Sequence, residues 1–405
     1  MPNQKNLPKG NALVGQSGGP TSVINSSLCG VIQRAQKSKN IQRVLGMSFG
    51  IEGFMKDEVV DLGKEDPAVI EGLRRTPGSA LGSARHKVKD EDFPRILEQF
   101  KKYDIRYFFL AGGNDTMDTI HRVEKYMREH DWELYGVGVP KTVDNDLFGT
   151  DHTPGFPSAA RFTALSVLEA GRLACDMQRV DRYVIYQSIG REAGWLTASS
   201  AAARRKEGDA PHLIYCPERK LNKEKFLADV KKTIEKWGFA SIAVSEGLLW
   251  EDGTPVSSAQ TKDKFGNLEF GAMGGGSVAL TLHKLIAAET GYRGEFQITE
   301  SLPMSAIDRA TPEDLEEGYQ CGVKAVELAE AGTSGVMVTL ERVSNEPYRV
   351  AYGTTPLSNV AVHAKPMDAK YINAEGNDVT PAFLDYIRPL VGPMPEFSVL
   401  KKIHA

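Results

Sequence analysis

The chain has 405 residues, longer than the size at which one hydrophobic core keeps growing, so two domains are expected, and 41% apolar residues are enough to fill them. A net charge of −4 lacks the basic excess of phosphate-backbone binders, which argues against a nucleic-acid partner and makes any anion site local. Cys29, Cys175, Cys216 and Cys321 lie far apart with no CxxC pair, fitting neither a zinc site nor a disulfide scaffold, and no run of about 18 apolar residues occurs, so a cytoplasmic chain with no membrane partner is expected.

In chain order, Ala12–Gly15 reads as a strand, Ser22–Ser38 as a helix and Arg43–Met47 as a second strand. Ile105–Leu110 and Tyr135–Val139 continue the rhythm. This βαβ order predicts a mostly parallel sheet. After the loop Phe148–Pro157, a new set begins with a helix over Ser158–Cys175 and a strand over Tyr183–Gln187. Further strands are expected at His212–Cys216, Ser241–Ser245 and Gly335–Leu340, and helices at Lys223–Trp237 and Pro312–Ala331. The fold class is therefore α/β with two Rossmann-like, three-layer domains. One spans 1–157 and the other 158–405, with part of 300–355 able to return to the first. The glycine-rich Thr261–Gly276 reads either as a loop over a site or as a surface connection.

Several strand ends carry residues suited to phosphoryl transfer. Gly15-Gln16-Ser17-Gly18-Gly19-Pro20-Thr21 joins the first strand to the first helix, where backbone amides and the positive helix end favour an anion; a plain tight turn is the alternative. Gly82-Ser83-Ala84-Arg85 supplies an arginine able to fork onto phosphate oxygens, or simply a solvated one. Gly112-Gly113-Asn114-Asp115 and Pro140-Lys141-Thr142-Val143-Asp144-Asn145-Asp146 each follow a strand, and the second puts cation, acid and base within one turn of chain. Ser188-Ile189-Gly190-Arg191-Glu192 follows another, and Arg182 adds a further cation. Phosphoryl transfer needs charge neutralised on the phosphate oxygens and a base for the acceptor hydroxyl. Asp144 is the candidate base; a helix cap or polar turn is the alternative role for Asp144–Asp146.

These segments together resemble the phosphofructokinase superfamily. The family's SGGDAPGMN appears as Ser17–Asn25, GSAR as Gly82–Arg85, GGDG as Gly112–Asp115, PGTIDND as Pro140–Asp146 and MGR as Ile189–Arg191. The resemblance implies a phosphofructokinase fold and transfer to the 1-hydroxyl of fructose 6-phosphate. Asp115 and Lys141 replace two family glycines, a pairing that marks the pyrophosphate-dependent branch: Asp115 would crowd a nucleotide's inner phosphate, and the Lys141 ammonium would bind the departing phosphate. Donor contacts are then Gly18, Gly19, Arg85, Gly113, Asp115 and Lys141. Asp144, Asp146, Lys141 and Arg191 are catalytic. Acceptor contacts are Thr142, Val143, Asp144, Arg182, Ile189, Gly190, Arg191, Glu246, Arg293 and Gln297. Mg2+ is implied, with Asn114 at the family's metal-binding aspartate and Asp115 as the other candidate. Arg182 matches an arginine that crosses a subunit boundary, which implies a homodimer or homotetramer. In the stretch aligned with the family's GHIQR, Glu300 stands where an arginine is usual; a shifted register brings in Arg293 or Arg309 instead. That carboxylate leaves sedoheptulose 7-phosphate open as acceptor. An ATP-dependent enzyme and a non-catalytic sugar-phosphate-binding regulator remain alternatives, while a nicotinamide dehydrogenase lacks its GxGxxG.

Overall fold

The computed structural model describes residues 7–84, 86–257, 276–361, 364–398 and 400. Arg85 and residues 261–275 of the glycine-rich stretch lie outside them. The first elements are β1 (Gly10–Gln16), α1 (Ile24–Ala35), β2 (Ile41–Met47), α2 (Gly50–Met55), β3 (Val59–Asp61), α3 (Pro67–Gly72) and α4 (Phe93–Lys102). There follow β4 (Ile105–Gly112), α5 (Asn114–Glu129), β5 (Tyr135–Pro140), α6 (Phe156–Met177), β6 (Tyr183–Ser188), α7 (Trp195–Ser199), β7 (Leu213–Tyr215) and α8 (Lys223–Trp237). The last are β8 (Ala240–Ser245), α9 (Val278–Thr290), β9 (Glu295–Ile298), α10 (Pro312–Glu330), β10 (Val336–Asn345), β11 (Tyr348–Pro356) and α11 (Pro381–Val391).

Two sheets result. The first has seven strands in the order β11-β10-β5-β4-β1-β2-β3, and the second has four, β7-β8-β6-β9. Within the first, β2–β1–β4–β5–β10 pair in parallel, and β3 and β11 add antiparallel edges. The second is parallel throughout. The expected α/β class with mostly parallel sheets therefore holds. Both edge strands and β9 went unread in the sequence because they are short or alternate with polar residues, which leaves little apolar signal.

Alternation explains the layers, since successive strand residues face opposite ways. On β4, Tyr107, Phe109 and Ala111 join the core under α1 and α10, while Phe108 and Leu110 join the core under α2, α4 and α5. Tyr107, Phe108 and Phe109 are fully buried, and each such side chain stabilises the fold by roughly 1.5–3 kcal/mol. The second sheet repeats the plan: Ile185, Ile242 and Val244 pack against α8 and α9, while Ile214 and Ala243 pack toward α6, α7 and α11. Helix ends follow their caps: Asn222 and Thr311 accept from the backbone N–H of Lys225 and Asp314 at the starts of α8 and α10.

Residues 312–356 return to the first sheet: α10 packs against α1, and β10 hydrogen-bonds to β5. The residues just after β5 come close to those after β6 and β8: Asp144 feels the charges of Arg191 and Glu246. Among the described residues, no helix is long and apolar enough to cross a membrane.

Candidate active site

Open parallel sheets leave backbone groups and side chains free just past their strand ends, and the candidate residues gather there. After β1, Gly18 adopts left-handed backbone at φ 75°, a conformation an L side chain rarely takes. This turn is fixed from two sides. Ser83 Oγ donates to Gly18 O at 2.5 Å, and Lys141 Nζ donates to Gly19 O at 2.7 Å. Thr21 closes the turn by accepting from Ile24 N at 3.0 Å, so α1 begins beneath it. The cleft beside Gly18, Gly19 and Ser83 has a volume of about 800 Å³ and is also bordered by Phe49, Glu58 and His86.

Lys141 follows β5 and is buried, 3% exposed. Its backbone N–H donates to Gly112 O at 3.2 Å, which ties the β5 end to the β4 end and brings Gly113 alongside. Burial lowers the ammonium to about 8, against the pull of Asp144 and Asp146, whose charges favour the cation. Asp144 moves the other way: burial, then the carboxylates of Asp146 and Glu246, push it up to about 7, while Lys141 and Arg191 restrain the rise. Such a carboxylate is poised to accept a proton near neutrality. Thr142 Oγ1 accepts from Asp144 N at 3.1 Å and fixes the turn. The turn caps no helix, since α6 begins at Phe156 behind Gly155. Val143 points the other way, into the core with Phe156, leaving only its backbone for the cleft.

Burial also raises Asp146, with Glu192 adding to the rise and Lys365 opposing it. Asn114, the first residue of α5, donates from Nδ2 to Asp146 Oδ2 at 3.2 Å, and its Oδ1 is buried with no hydrogen-bond partner. An orphaned amide oxygen beside a carboxylate is an oxygen pair of the kind a hard divalent cation accepts. Asp115 is turned outward; its side chain is 79% exposed and pairs with Lys87 at 3.6 Å.

The second sheet supplies the opposite wall. Glu246 follows β8, accepts from Gly190 N at 3.2 Å and lies 3.9 Å from Arg191 Nε. Burial raises its carboxyl, the Gly190 N–H and Arg191 hold it back, and Glu300 pushes it up further. Glu300 therefore stands near Glu246, in left-handed backbone at φ 45°, a costly conformation for a long side chain. Ile189 packs against the second core, and Gln297 is exposed on β9.

Arg182 and Arg293 are not brought to the Asp144 cluster of the same chain. Both precede their strands, β6 and β9, whereas Arg191 and Glu246 follow theirs. Six residues of strand separate the two ends by about 20 Å. Arg293 pairs with Asp181 at 2.9 Å, and Arg182 lies over the Tyr292 ring with Nε buried and lacking a hydrogen-bond partner. Arg309, the other register alternative, pairs with Glu169 at 3.1 Å. Lys365 escaped the sequence reading: a lone lysine among loop residues carries no signal, yet it opposes the rise of Asp146.

The phosphofructokinase family model matches residues 11–329. A Halomonas elongata protein named pyrophosphate–fructose 6-phosphate 1-phosphotransferase is 37% identical over 94% of this chain and 91% of its own length. One of the same name from Xanthomonas campestris pv. campestris is 38% identical over 95% and 92%. The crystal structure of a pyrophosphate-dependent phosphofructokinase from Marinobacter aquaeolei superposes with a TM-score of 0.85 at 36% identity, covering 96% of this chain and 94% of that one. A carboxylate, an ammonium and a guanidinium meeting across two facing sheets, in a chain matched along most of its length, have one common explanation: this protein belongs to the phosphofructokinase family.

Proposed function

We propose that the chain transfers a phosphoryl group reversibly from pyrophosphate to the 1-hydroxyl of fructose 6-phosphate. The observation that carries this reading is the buried Lys141 ammonium held under the Gly18–Gly19 turn and facing Asp144. Pyrophosphate would lie against the turn, with Gly113 beside it. Asp144 takes the proton of the acceptor hydroxyl as its oxygen bonds to phosphorus, and the bridging P–O bond breaks toward the phosphate that Lys141 neutralises. Arg191 steadies the transferring group, while Thr142, Gly190 and Glu246 orient the sugar. Family enzymes generally use a divalent metal. For Mg2+ the fitting residues are Asn114 and Asp146, and the ion would supply charge neutralisation between two polyanions. Asp115, outward and paired with Lys87, is the weaker ligand in this reading.

The position of Arg182 supports a homodimer in which it serves a second copy's acceptor site. Beside it, Leu173, Met177 and Val180 are 51%, 41% and 50% exposed and form an apolar strip that a second copy would cover. Hybrids test this: Asp144→Asn and Arg182→Ala chains, each inactive alone, regain activity when co-assembled. A dimer with self-contained sites gives no such recovery.

The proximity of Glu300 to Glu246 favours a second reading of the acceptor, sedoheptulose 7-phosphate, whose phosphate would sit farther from that carboxylate. One panel decides donor and acceptor together: both sugar phosphates assayed with pyrophosphate and with ATP. Product from fructose 6-phosphate with pyrophosphate is expected. Turnover with ATP alone overturns the donor assignment, and sugar binding without product from either donor points to a regulator. The reading also places the enzyme in the cytoplasm, where phosphosugars and pyrophosphate occur together.

A further inference from the structure

Asn145, between the two catalytic carboxylates, is fully buried in left-handed backbone at φ 57°. A buried residue in that conformation persists only where its surroundings hold it. Its Nδ2 donates to Tyr386 Oη at 2.9 Å, and its Oδ1 accepts from Thr153 N at 3.1 Å. Tyr386 Oη in turn donates to Asp151 O at 3.1 Å. From the same side, Lys365 N donates to Asp146 O at 2.6 Å, and Lys365 Nζ to Thr150 O at 3.0 Å and Asp151 O at 3.3 Å. Four loop residues, Asn145, Asp146, Thr150 and Asp151, are thus fastened by atoms from residues 364–398, all beyond the family match that ends at 329.

That segment is itself well anchored. On α11, Phe383, Ile387 and Leu390 are buried in the core shared with α6. Glu218 Oε1 accepts from both Met367 N at 3.1 Å and Gly194 N at 2.8 Å, which links the segment to the loop bearing Arg191.

We infer that the segment after β11 is a positioning arm, and that Tyr386 and Lys365 are positioning residues that hold the Asp144–Asp146 turn in its reactive geometry. The inference rests on the phosphoryl-transfer reading, since it assumes that Asp144 is the base. Neither residue contacts substrate in that reading, so removing either affects the chemical step rather than binding. Misplacing a catalytic group by about an ångström can cost on the order of 100-fold in rate.

The test is steady-state kinetics with pyrophosphate and fructose 6-phosphate on the full chain, alongside melting curves. Tyr386→Phe and Lys365→Met should lower kcat about 10- to 100-fold with both KM values within about threefold. Lys365→Arg, which keeps a donor at the loop carbonyls, should recover most of the loss. Tyr386→Phe added to Asn145→Ala should cost less than the two separate losses combined, because both cut the Asn145–Tyr386 hydrogen bond while only Tyr386→Phe also removes the donor to Asp151 O. If Tyr386→Phe does not fold, the Lys365 pair carries the same test. Variants that melt lower yet keep kcat within twofold overturn the inference, as does a loss confined to KM. Absence of turnover in the unaltered chain is a different result, and removes the reaction assignment itself.

Discussion

Asp144 and Lys141 owe their chemistry to a shared enclosure. Burial disfavours charge on both, raising the acid to about 7 and lowering the ammonium to about 8, so each sits near the pH where it must act. Asp144→Asn keeps the shape and removes the proposed base. It should lower kcat by about 10²- to 10⁴-fold while KM values and the far-UV circular dichroism spectrum stay close to those of the parent. Retention of more than a tenth of the parent rate would show that another group takes the proton. Asp144, Asp146 and Lys141 were legible in the sequence because a lysine and two acids packed into seven residues after a strand have few structural reasons to be there. Tyr386 was not. With Phe383, Ile387 and Leu390 it fits the apolar face of a helix, and nothing in that pattern says that its hydroxyl meets Asn145.

At the level of elements, the donor turn depends on how α1 is seated. Helix α10 crosses α1 so closely that a Cβ on Gly322 would lie 2.1 Å from Ser27 O, and one on Gly30 2.1 Å from Tyr319 O. Both neighbours are backbone and cannot swing aside. Gly322→Ala should therefore cost about 1–3 kcal/mol in urea unfolding, the usual size of an overpacking strain. Because α1 starts at the turn that holds Gly18, the KM for pyrophosphate should rise as well. No change in unfolding midpoint would mean that the helices separate without penalty. The helix itself was read from Pro312–Ala331, but its contact with α1 was not, since close approach depends on which small residues face each other across some 300 positions of chain.

Across the molecule, a buried charge network joins the catalytic loop to the returning segment. His152 is fully buried between Asp151 at 2.8 Å and Glu317 at 2.7 Å. Arg342 also pairs with Asp151, and the Tyr348 hydroxyl donates to Glu317. Burial works against the imidazolium, yet hydrogen bonds to Asp151 and Glu317 outweigh it and lift the group to about 9 from an ordinary 6.5. A group bound more tightly to its proton in the folded state gives its full stabilisation below its unfolded pKa, and loses it as pH rises through the folded one. The His152 contribution is thus complete below about 6.5 and gone above about 9. Lys141 and Lys365, both lowered to about 8, act in the opposite sense, so the informative quantity is a difference. The stability gap between the parent and His152→Gln should shrink from pH 6.5 to pH 9. A gap independent of pH would mean that His152 is neutral throughout.

Sequence alone determined what is local: alternating strands and helices, glycines at a tight turn, and a run of acids and a lysine whose chemistry is carried by residues adjacent in the chain. It also singled out Arg191 by its position after a strand, and Glu246 through the family resemblance. Only tertiary structure decided that Arg182 and Arg293 lie at the far ends of their strands, that Glu300 stands beside Glu246, and that Lys365 and Tyr386 hydrogen-bond to the loop that begins with Asp144–Asp146. The physical reason is range: hydrophobic period and turn chemistry act over a few residues. Burial, charge coupling and hydrogen bonding across more than 200 positions depend on which surfaces the folded chain brings together.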